Sequence, residues 1–214
     1  KSVFGSGFLP ATTGASFFNL DQEEVVSRVK PRRPLTEQRA SLDFLKQLDG
    51  DFAKRSAAEG DVQSAVKNYE TAFRMQSAVP ELMNLDKEPA YLKRAYGFEH
   101  EDPLVAGYGR QCMVARRLVE QGVRFVELSC SNFKGDGQRP NPWDQHGNLP
   151  HGHQEMARQV DQPIAALIND LKQRGLLEST LIIFTGEFGR TPFSQGNNGR
   201  DHNPYGFSLW MAGG

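Results

Sequence analysis

The stretch Thr180-Leu181-Ile182-Ile183-Phe184-Thr185-Gly186-Glu187-Phe188-Gly189-Arg190-Thr191-Pro192 joins an apolar, β-branched run to a glycine-punctuated loop carrying a carboxylate and a guanidinium. Runs of this kind, apolar at successive positions, suit a strand of a parallel sheet covered on both faces. Upstream, Val160, Ile164, Leu167 and Leu171 recur at helical spacing from about His153 to Gly175, so a helix feeds the strand. The same order occurs earlier: a helix through Arg116, Arg117, Leu118 and Val119 stops at Gly122 and is followed by the predicted strand Val123-Arg124-Phe125-Val126-Glu127-Leu128. A third strand is expected at Phe207-Ser208-Leu209-Trp210-Met211. Helix and strand in alternation define an α/β class with a mostly parallel sheet over residues 104–214.

The first half reads differently. Residues Lys1 to Asn19 are rich in Gly, Ser, Thr and Phe without a helical period, and Lys30-Pro31-Arg32-Arg33-Pro34 is a stiff basic connector. Leu42, Leu45, Leu48 and Phe52 then recur at helical spacing, as do Val62, Ala65, Val66, Tyr69 and Phe73 beyond Gly60-Asp61. This predicts a helical hairpin, with Phe44, Phe52, Tyr69 and Phe73 as core packing. Pro80, Pro89 and Pro103 limit the next stretch to short helices, one around Ala90 to Tyr96. Residues 36–100 are thus expected as a helical insertion in one domain spanning 1–214.

Composition narrows the function classes. The chain has 214 residues, 38% hydrophobic and 24% charged, enough for one sizeable core. A formal net charge of -1 gives no electrostatic reason for binding nucleic acid or an anionic membrane. Cys112 and Cys130 do not make a disulfide framework and read as buried thiols. No apolar stretch reaches the roughly 20 residues of a membrane span. The chain starts at Lys1 rather than Met and stops at Ala212-Gly213-Gly214, where a strand would be leaving the sheet, so both ends are expected to be cut.

In open α/β sheets, ligands bind where loops leave the carboxyl ends of strands. Glu127 lies in the second half of one predicted strand, and Trp143-Asp144-Gln145-His146-Gly147 comes next on a Gly/Pro-rich connection. Glu187 and Arg190 come directly after the next strand, and Gly199-Arg200-Asp201-His202-Asn203-Pro204-Tyr205-Gly206 leads into the third. Carboxylates and imidazoles from separate segments fit a divalent cation, whereas the two cysteines are too isolated for a structural thiolate site. Such an ion would polarise a phosphoryl or sulfuryl oxygen and activate water, with Arg190 or Arg200 clamping the anion. Asp201 has two roles open to it, as a metal ligand or as the partner that orients His202. Each group also has a plainer reading: Asp144 and His146 as cap and turn residues, Glu187 and Arg190 as a surface ion pair. His151 and His153, near a predicted helix start, are left out of the site. Cys112-Met113-Val114-Ala115-Arg116 approaches a sulfatase modification pattern, but Val114 breaks it and the segment reads as mid-helix. No Gly-x-Ser-x-Gly elbow and no phosphate-binding Gly-rich loop with Lys is present.

The run Arg116 to Phe125, then Trp143-Asp144-Gln145-His146, GEFGRTP at 186–192 and GRDHNPYGF at 199–207, resembles the domain-of-unknown-function family 1501. Gly7-Phe8-Leu9-Pro10 resembles its GFLP segment. The resemblance implies membership of the sulfatase-like, alkaline phosphatase superfamily. It also implies a partial three-layer alkaline-phosphatase-like sandwich that hydrolyses phosphate or sulfate esters with a divalent metal, zinc foremost and manganese or calcium next. By that comparison Glu127, Asp144, His146, Glu187 and His202 are the implied ligands. Phe188 stands where many relatives carry a histidine, which removes one nitrogen donor. The superfamily nucleophile is expected upstream of Lys1, making this chain a C-terminal portion. The implied substrate is an anionic small-molecule or glycan ester, and the implied location is periplasmic or secreted. The alternative function is a non-catalytic protein that holds an anionic glycan or a protein partner.

Overall fold

A computed structural model describes residues 9, 13–20, 25–26, 29–55, 59–130 and 143–214, which fall in two compact units, Lys1–Leu85 and Asp86–Gly214. The GFLP segment and residues 131–142 therefore lie wholly or largely outside the described residues.

The first unit holds the expected helical hairpin, α1 (Leu35–Arg55) packed on α2 (Glu59–Met83). Gly60 and Asp61 sit in the first turn of α2 instead of separating the helices, and α2 continues through Pro80. Pro80 lies in the last turn, and its missing N–H removes the helical bond to the Gln76 carbonyl. The Arg39 guanidinium spans the two helices, donating to both Glu70 carboxylate oxygens at 2.8 and 2.7 Å and lying 5.0 Å from the Phe73 ring centre. The expected aromatic core is corrected here: Phe44, Leu48 and Phe52, on one stripe of α1, are 50–60% exposed, and Tyr69 is 47% exposed. Two helices bury only their facing stripes, so an apolar residue turned away from the partner helix stays in solvent.

In the second unit α3 (Ala90–Ala95), α4 (Pro103–Glu120) and α5 (Leu149–Gln173) form the core. Asp102 caps α4 by accepting from the Leu104 N–H at 2.9 Å, and Pro103 opens the helix. At the far end Gly122 takes φ +80°, its N–H donates to the Val119 carbonyl, and the Val123 N–H donates to Leu118. This paired closure needs a residue free of a Cβ penalty, and Gly175 ends α5 in the same way. Val105, Cys112 and Met113 of α4 pack with Met156, Val160, Leu167 and Leu171 of α5, and Tyr96 is fully buried beside them.

A buried ion network crosses this core. Arg116, 2% exposed, reaches Glu88 at 2.8 Å, Glu120 at 2.6 Å and Asp170 at 3.0 Å. Asp170 also accepts from Arg174 at 2.6 Å and from the Tyr96 hydroxyl at 3.0 Å. Arg116 therefore serves the helix packing, and Cys112 is buried in the middle of α4, away from any exposed loop.

The mostly parallel sheet is the expectation that the described residues do not reproduce. The strands present are β1 (Ile182–Thr185), β2 (Gly189–Arg190), β3 (His202–Asn203) and β4 (Leu209–Ala212), and both pairings, β1 with β4 and β2 with β3, are antiparallel. A parallel crossover must return the chain to the starting end of the sheet, usually through a helix. Residues 186–208 contain no helix and instead fold back as the β2–β3 hairpin, so β4 re-enters beside β1 in the opposite sense. Among the described residues one face of the β1–β4 pair is partly covered and the other is open. Phe184 and Trp210 stack at 5.4 Å on the first, while Ile183, Met211 and Leu209 on the other remain about half exposed. The predicted strand at 123–128 has no regular structure assigned; it alternates in burial, with Val126 and Leu128 half-buried between exposed neighbours, but joins no ladder among the described residues. No helix among the described residues is long and apolar enough to cross a membrane.

Candidate metal centre

Two segments separated by the whole of α5 build the site. The first, Trp143 to Leu149, is held at both ends by residues in the left-handed region, Trp143 at φ +51° and Asn148 at φ +48°. Trp143 is anchored edge-on against His153, at 5.7 Å, and against Phe184 of β1, at 6.0 Å. Between them the Gln145 side chain is buried.

The second segment is the β2–β3 hairpin. Arg190 and His202 are directly opposite in its register, which puts both side chains on one face. Beyond β2 the chain makes a tight turn: the Gln195 and Gly199 N–H groups donate to each other's carbonyls at 2.9 and 2.7 Å. This turn docks on the first segment. The Asn148 N–H donates to Asn197 at 2.8 Å, the Leu149 N–H to Asn198 at 3.1 Å, and the Arg200 N–H to Gln145 at 3.1 Å. Two N–H groups at the start of α5, which no helical carbonyl can satisfy, thereby find acceptors on the loop. Gly199 lies so close to the His146 backbone that any side chain would collide with its carbonyl carbon and oxygen.

The docked segments bring Asp144, His146 and His202 together. Asp144 Oδ1 lies 3.0 Å from His146 Nε2 and 3.1 Å from His202 Nε2, and the two imidazole nitrogens are 3.2 Å apart. For a tetrahedral ion with bonds of about 2.0–2.1 Å, neighbouring donor atoms stand about 3.3 Å apart, close to this triangle. These three residues would hold an ion through three donors and leave its fourth position for water or substrate. One carboxylate and two imidazoles form a donor set suited to zinc or manganese. All three residues are exposed, so the open side faces solvent.

Arg190 donates to the same Asp144 oxygen at 2.8 Å and lies 5.9 Å from the Phe188 ring centre. The hydrogen bond to His202, with that to Arg190 second, holds the Asp144 carboxyl at about 2, below its ordinary 3.8. Asp144 is therefore an anion at any ordinary pH. The His153 pKa is also lowered, by burial and then by the nearby Arg190 charge, which for an imidazole favours the neutral form.

The other residues expected from the sequence lie outside the donor triangle. Asp201 stands behind His146, with Oδ1 3.9 Å from Nδ1, and accepts from the His202 N–H at 2.8 Å. The first is a charge near the His146 ring, too distant for a hydrogen bond, and the second fixes the His202 backbone and not its ring. Glu187 is exposed in the turn between β1 and β2, Glu127 is exposed in the segment after α4, and neither joins the triangle. The Phe188 ring lies against His202 at 4.4 Å. Sequence reasoning missed Gln195, whose Oε1 lies 2.8 Å from His146 Nδ1, and Gln145, whose Oε1 meets His153 Nδ1. The Gln-Gly-Asn-Asn-Gly string announces a turn, but nothing local says which imidazole its first residue will reach.

No curated protein and no solved structure matches the chain. The profile of one family, described as "Protein of unknown function (DUF1501)", matches residues 1–214. The chain belongs to the DUF1501 family.

Proposed function

We propose that this chain is the metal-binding part of a hydrolase-like domain, sulfatase-like and of the alkaline phosphatase superfamily, that acts on phosphate or sulfate esters of small molecules or glycans. The observation that carries the reading is the triangle of Asp144 Oδ1, His146 Nε2 and His202 Nε2, with edges of 3.0–3.2 Å and one side open. These three residues would hold the divalent cation, zinc in the first instance. Bound there, it would supply charge for a developing oxyanion and lower the pKa of a water in the open position. Asp144 supplies a permanent negative charge, set by His202 and Arg190. Arg190 is bonded to Asp144 at the triangle, and its remaining N–H groups would serve an anionic oxygen there. Asp201 places a carboxylate charge near His146 and accepts from the His202 backbone N–H.

A non-catalytic protein holding an anionic glycan or a protein partner is the second reading. It is favoured by Phe188, whose ring lies on His202 where a further nitrogen donor would serve catalysis. Elemental analysis and zinc titration of wild type, His146→Ala and His202→Ala tests the first reading. Stoichiometric metal, lost in both variants, supports it and justifies screening phosphate and sulfate esters. Absence of metal binding in wild type, at any of zinc, manganese or calcium, leaves the binding protein.

A further inference from the structure

We propose that Gln195 is a positioning residue for His146, fixing the ring orientation and tautomer in which Nε2 offers its lone pair to the cation; the inference rests on the metal-site reading above. A neutral imidazole carries one N–H and one lone pair, and the nitrogen that keeps the proton is set by the partner it meets. On His146 the two nitrogens face different chemistry. Nε2 points into the donor triangle, and Nδ1 meets the Gln195 amide oxygen at 2.8 Å, a good hydrogen-bond distance. Another acceptor, Asp201 Oδ1, is 3.9 Å from Nδ1, beyond hydrogen-bond reach, and already takes the His202 backbone N–H. Gln195 thus supplies the hydrogen bond, and Asp201 only a more distant charge.

The backbone makes Gln195 suited to this task. Its N–H and C=O are both bonded to Gly199, and the turn they close is bonded to Asn148, Leu149 and Gln145. The side chain therefore projects from a fixed base onto a ring whose own backbone lies against Gly199. An amide is neutral, so it directs the proton without placing a second carboxylate behind the ion. Partners of this kind on ligating histidines are typically worth about 10–100-fold in metal affinity.

The test compares zinc affinity, by competition with a chromophoric chelator, in wild type, Gln195→Met and Gln195→Glu. Methionine keeps the length and removes the acceptor, whereas glutamate restores an acceptor oxygen. The expected result is a loss of about 10–100-fold in Gln195→Met, with most of it recovered in Gln195→Glu. In the zinc-loaded protein, the His146 Nδ1 proton should be hydrogen-bonded and slow to exchange by NMR in wild type and Gln195→Glu, and fast in Gln195→Met. Wild-type zinc affinity in Gln195→Met overturns the inference and leaves the metal site standing. Equal loss in both variants, with no change at Nδ1, overturns it in favour of a merely structural role for the turn. Failure of wild type to bind zinc removes the metal reading itself, a result distinct from either.

Discussion

Replacing Gly199 by Ala tests whether the site depends on the docking of the 195–199 turn. Gly199 has no left-handed backbone to protect, so the substitution acts through space alone: the new methyl would fall on the His146 carbonyl group. Backbone cannot yield as a flexible side chain can, and the turn must back away. Three hydrogen bonds bridge it to the other segment, from Asn148, Leu149 and Arg200. At about 1 kcal/mol net each, their loss would cost about 2–3 kcal/mol, allowing for partial replacement by water. Both tryptophans, Trp143 and Trp210, belong to the unit that contains the site, so urea unfolding monitored by their fluorescence reads the right transition. The matched control is Gly147→Ala, whose methyl would meet only the Asn197 carbonyl oxygen at 3.9 Å, an ordinary contact. The expected outcome is a stability loss of about 2–3 kcal/mol in Gly199→Ala, a much smaller effect in the control, and weaker zinc binding in the first variant only. Wild-type stability and zinc affinity in Gly199→Ala would refute the reasoning, because the turn would then have room that the packing denies it.

Two further outcomes are expected. Arg116→Met should destabilise the second unit by about 3 kcal/mol, the low end for a broken buried pair, because Asp170 and Glu120 keep Arg174, and Glu88 keeps Arg117 at 3.4 Å; urea unfolding checks this, and a change below about 1 kcal/mol would contradict it. The Asp144 carboxyl should titrate near 2 by carbon-detected NMR and move upward in Arg190→Met, though not fully, since His202 contributes the larger share. A depressed carboxylate contributes stability that is complete above its ordinary value near 3.8 and is lost as pH falls toward 2, so this contribution should survive at pH 4 in wild type. An Asp144 midpoint near 4 in wild type would contradict the geometry.

The helices were largely legible from sequence and the sheet was not. Gly122 and Gly175 mark their helix ends because a left-handed closing residue is a local requirement, visible in one position. The start of α5 at Leu149, ahead of the expected His153, was hidden by Pro150, which reads as a breaker yet is well accommodated in a first turn. Strand direction depends on the path of residues 186–208, and an apolar run carries no sign of direction. Burial of the α1 stripe likewise depends on what packs over it, which helical spacing alone does not encode. At the candidate site, Asp144, His146 and His202 stood out because unlike polar groups were crowded onto Gly- and Pro-rich loops. Glu127 and Glu187 shared that signal, and the structure leaves both outside the triangle. Gln195 was invisible because its role arises only when two segments on either side of α5 meet.

The loop that satisfies the first N–H groups of α5 also carries Gln195 and leads directly into His202. One local opening event therefore uncovers the Asn148 and Leu149 amides and dismantles the site together. Any species that prefers the assembled site raises the free energy of that opening by its own binding energy. The exchange of those two protons with solvent deuterium is consequently a built-in gauge of occupancy, slowing in proportion to whatever is bound, whether or not a reaction occurs.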